Sequence, residues 1–208
     1  MSEKRALLLV GSPRGLEKST SGRFGARLLD ALARQAYRTD RIHVHAAMRS
    51  PGELDKALAA VAAADLVILS LPLYVDSFPA PTIACLEEVA RRGIGRGHVQ
   101  FALLIQCGFP ERDQNDTAVA IGQRFAAEAG WTWLGALALG AAQTYSDTVN
   151  DALDRVAEAL AGGHPIPHVF VRTAMPAWLY RIGGNLMWRR EAKKNGVAGK
   201  LRDRPYQN

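Results

Sequence analysis

Short apolar runs of strand length alternate along the chain with longer segments of helical period. The apolar runs cover Arg5–Val10, Arg41–Ala46, Asp65–Leu71, Val99–Cys107 and Trp133–Leu139. The segments of helical period cover Ser19–Arg34, Pro51–Ala64, Pro81–Arg92, Asp116–Ala129 and Thr148–Ala161. This alternation is typical of a parallel sheet with helices on both faces. It predicts a single α/β domain of five β-α units over residues 1–163.

The pattern changes after Gly163, and residues 164–208 are interpreted as a basic C-terminal extension. Within it, Pro176–Lys194 predicts an amphipathic helix, although Gly183 and Gly184 weaken its middle. The apolar side of this helix is formed by Trp178, Leu179, Ile182, Leu186 and Met187. Tryptophan beside Arg and Lys also suits a membrane surface, but packing on the helix's own domain or on a dimer partner is commoner. We therefore expect a dimer and no membrane association.

Composition limits the class and location of the protein. With 208 residues and 48% hydrophobic content, the chain can bury one substantial core. Its start lacks the pattern of a secretory signal, and no apolar run reaches the about 20 residues of a membrane-spanning helix. We expect a cytoplasmic protein. Two cysteines, Cys85 and Cys107, are too few for a disulfide framework or a cysteine-ligated metal cluster.

Positive charge is concentrated at the C-terminal end of the chain. Of the net charge of +6, residues 172–208 carry +7, which leaves −1 for the rest. This basic tail either docks on something anionic, folds over an anionic ligand, or is a solvated face. We expect no nucleic acid among the partners.

The loop Gly11–Lys18 lies where an anion can bind. It follows the first strand and precedes a helix that begins near Ser19, so free backbone N–H groups and the positive end of the helix dipole face the loop. Further donors and positive charge come from Ser12, Ser19, Thr20, Ser21, Arg14 and Lys18. The pattern indicates a phosphate site. The alternative is a capped helix preceded by a flexible loop without a ligand.

Three familiar phosphate-binding motifs are absent from this loop. Gly11 is followed by Ser, Pro and Arg before Gly15, which excludes the dinucleotide fingerprint Gly-x-Gly-x-x-Gly. No Gly-Lys-Ser/Thr closes the loop, so it is not a nucleoside triphosphate loop. A thiolate phosphatase loop needs a cysteine, and the loop has none.

Two further loops follow the third and fourth predicted strands. Ser70–Pro81 contains three prolines together with Tyr74, and Gln106–Asp116 contains Gly108 and Phe109. Carboxyl ends of parallel strands meet at one edge of the sheet, where such folds bind ligands. The three loops together therefore predict a phosphate at the first loop and a flat ring between the other two.

The motifs of the three loops resemble those of the NAD(P)H-dependent FMN reductase branch of the flavodoxin-like superfamily. The resemblance rests on Gly11-Ser-Pro-Arg14 with Ser19-Thr20-Ser21, on Pro72-Leu-Tyr-Val-Asp-Ser-Phe-Pro-Ala-Pro81, and on Gly108-Phe-Pro-Glu111. It implies a flavodoxin-like, doubly wound five-stranded parallel sheet of order 2-1-3-4-5, followed by a C-terminal helical extension.

The same resemblance implies which residues hold FMN. The phosphate is assigned to Ser12, Ser19, Thr20 and Ser21, with Arg14 as a helper. The isoalloxazine is assigned to a place between Pro72, Leu73, Tyr74 and Val75 on one side and Cys107, Gly108 and Phe109 on the other.

The implied activity is an FMN-dependent oxidoreductase. It passes a hydride from NADH or NADPH through bound FMN to a small acceptor such as a quinone or a flavin. The alternative is a non-enzymatic electron carrier or a flavin-free binding module. The acidic surface of flavodoxin carriers is missing here, which favours the reductase.

Flavin chemistry needs no acid or base from the chain, so we assign no catalytic residue. His43 and His45 are expected on one face of the second strand, and we assign no metal to them or to other residues. The thiol of Cys107 ends an apolar strand and is expected to be unreactive.

Overall fold

A parallel sheet of six strands forms the centre of the protein. The computed structural model describes residues 4–111, 113–141, 147–166, 169–172 and 176–203. The strands lie in the order β2-β1-β3-β4-β5-β6, and every neighbouring pair is parallel. Their bounds are β1 Arg5–Val10, β2 Arg38–His43, β3 Leu66–Pro72, β4 Gln100–Gln106, β5 Thr132–Gly140 and β6 Val169–Arg172.

Helices connect the strands. Their bounds are α1 Thr20–Ala33, α2 Val44–Ala47, α3 Pro51–Ala62, α4 Ala80–Arg91, α5 Asp116–Ala129, α6 Asp147–Ala161 and α7 Ala177–Lys194. Two short 3-10 helices cover Asp113–Asn115 and Ala198–Lys200. Each connection returns the chain to a parallel strand of the same sheet, and the one from β2 to β3 passes over β1.

Alternate residues of the strands point to opposite faces of the sheet, and each face is covered by its own helices. Leu8 of β1 belongs to the cluster that includes Phe24 of α1 and Leu153 of α6. Leu9, the next residue, belongs to the second cluster, which residues of α3, α4 and α5 complete. Burial on both faces explains why β1, β3 and β4 are almost entirely apolar in sequence.

The predicted order of the first five strands is confirmed, but the predicted strand count of five is wrong. The sixth strand, Val169–Arg172, pairs with the far side of β5 and lies in the segment that was assigned to the extension. It has only four residues and pairs on one side, so its sequence lacks the long apolar run that marks the central strands.

The second strand is also placed differently from the prediction. It covers Arg38–His43 instead of Arg41–Ala46, because Val44–Ala47 forms the short helix α2. His43 therefore ends β2 while His45 lies on α2, and the two do not share a strand face as predicted.

Residues 174–208 form a compact unit of their own, distinct from residues 1–173. The predicted helix is present as α7. Its predicted apolar side ends at Met187, because Arg189 and Lys193 occupy the row that Trp178 and Ile182 begin. Within the described part of the chain, no helix combines the length and the apolar character needed to cross a membrane.

Candidate functional site

The carboxyl ends of β1 and β3 lie side by side and define the position of the site. The two strands are paired up to Val10 and Ser70. From β1 the chain continues to β2 on one side, whereas from β3 it continues to β4 on the other. Ligands of open α/β sheets bind in the crevice at such a switch point. The loop after β1 and the loop after β3 therefore border one crevice.

The first loop folds tightly against the beginning of α1. The N–H of Gly11 donates to the carbonyl of Ser70 (2.9 Å), which holds the loop to β3. Gly15 has a φ of +84°, which favours glycine. A Cβ atom on Gly22 would overlap the backbone carbonyl oxygen of Leu16, so this approach of loop and helix also requires glycine.

Ser19 caps α1 with its hydroxyl group. Its Oγ accepts from the N–H of Gly22 (2.9 Å) and donates to the carbonyl of Gly15 (2.6 Å). The hydroxyl proton of Ser19 is therefore donated within the protein and is not available to a ligand. The backbone N–H groups of Thr20 and Ser21 have no acceptor among the described residues. These two amides, at the positive end of the helix, remain available to an anion.

The other predicted phosphate residues lie around the same point. Ser12 is buried, and its Oγ accepts a long hydrogen bond from the Arg14 N–H (3.4 Å). Thr20 is half-buried and Arg14 is exposed. Glu17, the one carboxylate of the loop, is paired with Arg41 of β2 (2.9 Å). Ser12, Ser19 and Thr20 thus lie on the loop and at the start of α1, and the carboxylate of the loop is paired with a cation.

A buried polar network beneath the loop was missed by the sequence analysis. Gln106 Nε2 donates to Ser21 Oγ (2.6 Å), and Ser70 Oγ donates to the Ser21 carbonyl (2.8 Å). Thr82, in the first turn of α4, is buried beside Gly11, and its hydroxyl has no hydrogen-bond partner among the described residues. The sequence does contain a signal for this network: polar residues, Ser70 and Gln106, stand at the ends of apolar strands.

The second loop contains a strained hairpin turn. Tyr74 and Ser77 exchange two backbone hydrogen bonds (2.9 and 3.0 Å), and Val75 and Asp76 between them have φ values of 48° and 57°. Positive φ at both central residues is the pattern of a type I′ turn, which a β-branched residue such as Val75 adopts only with strain. Strain of this kind is concentrated at functional sites. Val75 is 98% exposed at the tip.

The third loop lies beside the second. Pro72 of β3 pairs with Gln106 of β4, and the Leu73 N–H donates to the Gln106 carbonyl (2.7 Å). The segment Pro72–Val75 and the segment Cys107–Phe109 therefore leave the sheet as neighbours. The Phe109 carbonyl accepts from the Ala141 N–H (2.9 Å), while the Phe109 side chain is 59% exposed.

Both cysteines are buried, and burial raises the pKa of both thiols. The pKa of Cys85 is raised to about 11, and that of Cys107 is raised despite hydrogen bonds to Phe109 and Asn115 that lower it. The reactive thiolate is therefore scarce at neutral pH. We expect neither cysteine to react with a disulfide reagent such as DTNB at pH 7 until the protein is unfolded. Fast labelling of the native protein, measured by absorbance, would contradict this.

Two histidines contact the first loop from β2 and α2. His43 Nε2 lies 2.8 Å from the Ser12 carbonyl oxygen, and His45 Nε2 lies 3.2 Å from that of Gly11. The rings are stacked with centroids 5.7 Å apart. Burial lowers the pKa of His45, and the neighbouring His43 lowers it further by a smaller amount. The lowered pKa favours the neutral ring at pH 7. The sequence analysis assigned these residues no role.

Comparison with known proteins yields structural likenesses. No family model matches the chain, and no curated protein matches it. An NADH:FMN oxidoreductase in its apo form superposes with a TM-score of 0.63 at 19% identity, covering 83% of this chain and 92% of the other. An NAD(P)H:quinone oxidoreductase from Methanothermobacter marburgensis superposes with a TM-score of 0.61 at 14% identity, covering 81% of this chain and 100% of the other.

A third likeness is to the flavodoxin of Streptococcus pneumoniae TIGR4. Its TM-score is 0.57 at 13% identity, covering 76% of this chain and 99% of the flavodoxin. At these identities the likenesses show the fold alone, and the first five strands of the sheet have the flavodoxin order 2-1-3-4-5. The chain therefore has the flavodoxin-like fold that the resemblance of its three loops implied, with one additional edge strand.

Proposed function

We propose that this protein is an FMN-dependent oxidoreductase that uses NADH or NADPH. The observation that carries the proposal is a set of backbone N–H groups without acceptors, in the loop after β1 and at the start of α1. The N–H groups of Ser12, Thr20 and Ser21 lack acceptors among the described residues, and they lie at the switch point of the sheet. A phosphate monoester is the ligand that such donors and the helix dipole favour.

The residues of the loop fit an FMN phosphate in chemistry as well as in position. The donors are backbone N–H groups and hydroxyls, and the loop's carboxylate, Glu17, is engaged by Arg41. Ser12, Thr20 and Ser21 are proposed to bind the phosphate, with Arg14 adding positive potential. Ser19 is proposed to act indirectly, because its hydroxyl proton is donated to Gly15.

The isoalloxazine of FMN is proposed to lie between the second and third loops. Pro72, Leu73, Tyr74 and Val75 would border it on one side, and Cys107, Gly108 and Phe109 on the other. The exposed side chains of Tyr74 (46%) and Phe109 (59%) offer aromatic surface at this place. The N–H groups of Val75 and Asp76 have no acceptor among the described residues and can donate to the polar edge of a heterocycle.

The chain's own part in the reaction is to bind and orient. The chemistry that bound FMN would supply is hydride acceptance from a nicotinamide and delivery of electrons to an acceptor. We propose no catalytic side chain, because flavin chemistry needs no acid or base from the chain. The acceptor is proposed to be a small molecule such as a quinone or a flavin, as the names of two structurally similar proteins suggest.

Anaerobic spectroscopy tests the proposal. The protein is mixed with FMN, freed of unbound flavin and given NADH or NADPH, while the absorbance of oxidised flavin is followed. We expect the absorbance to fall and to return when a naphthoquinone is added. A protein that retains no FMN would contradict flavin binding. Bound flavin that is reduced only by an added reductase would instead support the electron carrier, which the flavodoxin likeness keeps as the second candidate.

We also propose that the protein is a homodimer and that it is cytoplasmic. We propose that residues 174–208, the part of the predicted extension that follows β6, pack on the α/β domain or on a second copy. Removal of residues from Pro176 onward is then expected to lower the melting temperature or the fraction of dimer, because it would expose the apolar surface on which Trp178 and Leu186 are proposed to pack. Thermal unfolding and light scattering measure both quantities. A truncated protein with an unchanged melting temperature and mass would contradict this role of the extension.

A further inference from the structure

The two histidines that contact the first loop have a geometry that the proposed function does not use. His43 ends β2 and His45 is the second residue of the short helix α2, yet their rings contact adjacent residues of the loop. Each Nε2 lies within hydrogen-bond distance of a backbone carbonyl oxygen, of Ser12 for His43 and of Gly11 for His45. A carbonyl oxygen can only accept, so both Nε2 atoms carry a proton and donate.

The contact of His45 determines the direction of a neighbouring donor. The C=O of Gly11 and the N–H of Ser12 belong to one peptide unit, which is planar and trans, so the two groups point in opposite directions. A hydrogen bond that holds the carbonyl toward α2 therefore turns the Ser12 N–H away from α2. This N–H has no acceptor among the described residues.

The contact of His43 fixes the next peptide unit. That unit joins Ser12 to Pro13, which has no N–H group, so its only polar atom is the Ser12 carbonyl oxygen. His43 holds this oxygen at 2.8 Å, and the Gly15 N–H approaches it at 3.4 Å. On the other side, the Gly11 N–H is held by Ser70. Of the four backbone polar groups of Gly11 and Ser12, only the Ser12 N–H is therefore left without a partner among the described residues.

We infer that His43 and His45 are positioning residues that aim the Ser12 N–H at the phosphate of FMN, and that they make the site prefer FMN to riboflavin. The inference rests on the proposed function. Riboflavin lacks the phosphate, so its binding depends on the second and third loops and not on the direction of the Ser12 amide. The histidines should therefore affect the affinity for FMN alone.

Paired substitutions test this. H43L/H45L removes both donors at similar side-chain volume, whereas H43Q/H45Q keeps an N–H donor at nearly the position of Nε2. Dissociation constants for FMN and riboflavin are measured by quenching of flavin fluorescence, with thermal unfolding as the check on folding. We expect the leucine variant to bind FMN about tenfold or more weakly and riboflavin unchanged. The glutamine variant should bind FMN nearly as the wild type does.

Single variants refine the test and replace the double variant if it does not fold. H45L should weaken FMN binding more than H43L, because His45 holds the peptide unit that carries the Ser12 amide. Wild-type affinity for FMN in a folded leucine variant would overturn the inference. So would an equal loss for FMN and riboflavin, which indicates a general structural role, or a failure of glutamine to restore binding. A wild-type protein that binds no FMN would overturn the proposed function instead.

Discussion

Replacement of Gly22 by alanine is expected to raise the dissociation constant for FMN by about tenfold or more and to destabilise the fold by about 1–3 kcal/mol. The added Cβ would overlap the carbonyl oxygen of Leu16. This oxygen belongs to the backbone, so no side-chain rotation relieves the overlap, and the loop must move away from α1. The movement would also disturb the cap, because the Gly22 N–H donates to Ser19 Oγ.

The matched control for this substitution is Gly52→Ala. Gly52 lies in the first turn of α3, and nothing lies within 4 Å of a Cβ atom placed there. Alanine is the better helix former by up to about 1 kcal/mol, so this variant should be as stable as the wild type or slightly more stable. Fluorescence titration with FMN and urea unfolding measure both variants. Equal FMN affinity in Gly22→Ala and Gly52→Ala would mean that the loop before α1 does not hold the phosphate.

Replacement of Phe101 by alanine should give the largest loss of stability, about 3–5 kcal/mol. Phe101 of β4 is fully buried, and its ring packs against three other aromatic rings. The centroid distances are 5.4 Å to Phe125, 5.6 Å to Trp131 and 5.7 Å to Trp133. The cavity left by alanine would remove contacts with all three rings. Urea unfolding followed by tryptophan fluorescence measures the loss.

Phe109→Ala is the matched control for Phe101→Ala, because the same side chain is removed from an exposed position. Phe109 is 59% exposed in the third loop, so its removal should change the free energy of unfolding by less than about 0.5 kcal/mol. The same variant should bind flavin more weakly if the ring borders the isoalloxazine. A Phe101→Ala variant within about 1 kcal/mol of the wild type would contradict the packing described for this face of the sheet.

Patterns confined to a few neighbouring residues predicted much of the fold. The helix Asp116–Ala129 has the predicted bounds, and α1 begins directly after Ser19, the residue expected to start it. The alternation of buried strands and helices predicted a parallel sheet, and the resemblance of the three loops implied the order of its first five strands. The positions of the three loops at one edge followed from the parallel arrangement.

Features decided by distant contacts could not be predicted in the same way. The alternation of His43, Val44 and His45 favours a strand, but the chain forms α2 there, and both rings contact the first loop. The hydroxyl of Ser19 could equally cap a helix or bind a ligand, and only the position of the Gly15 carbonyl decides between the two. The bond from Gln106 to Ser21 joins residues 85 positions apart, and no local pattern indicates it.

A crystal structure of the protein with FMN tests the central claim most directly. The claim is that the N-terminus of α1 and the loop before it hold the phosphate, while the flavin ring lies between the second and third loops. We predict phosphate oxygens within hydrogen-bond distance, about 3 Å, of the backbone nitrogens of Ser12, Thr20 and Ser21. A flavin bound elsewhere on the protein, or a phosphate that contacts none of these nitrogens, would contradict it.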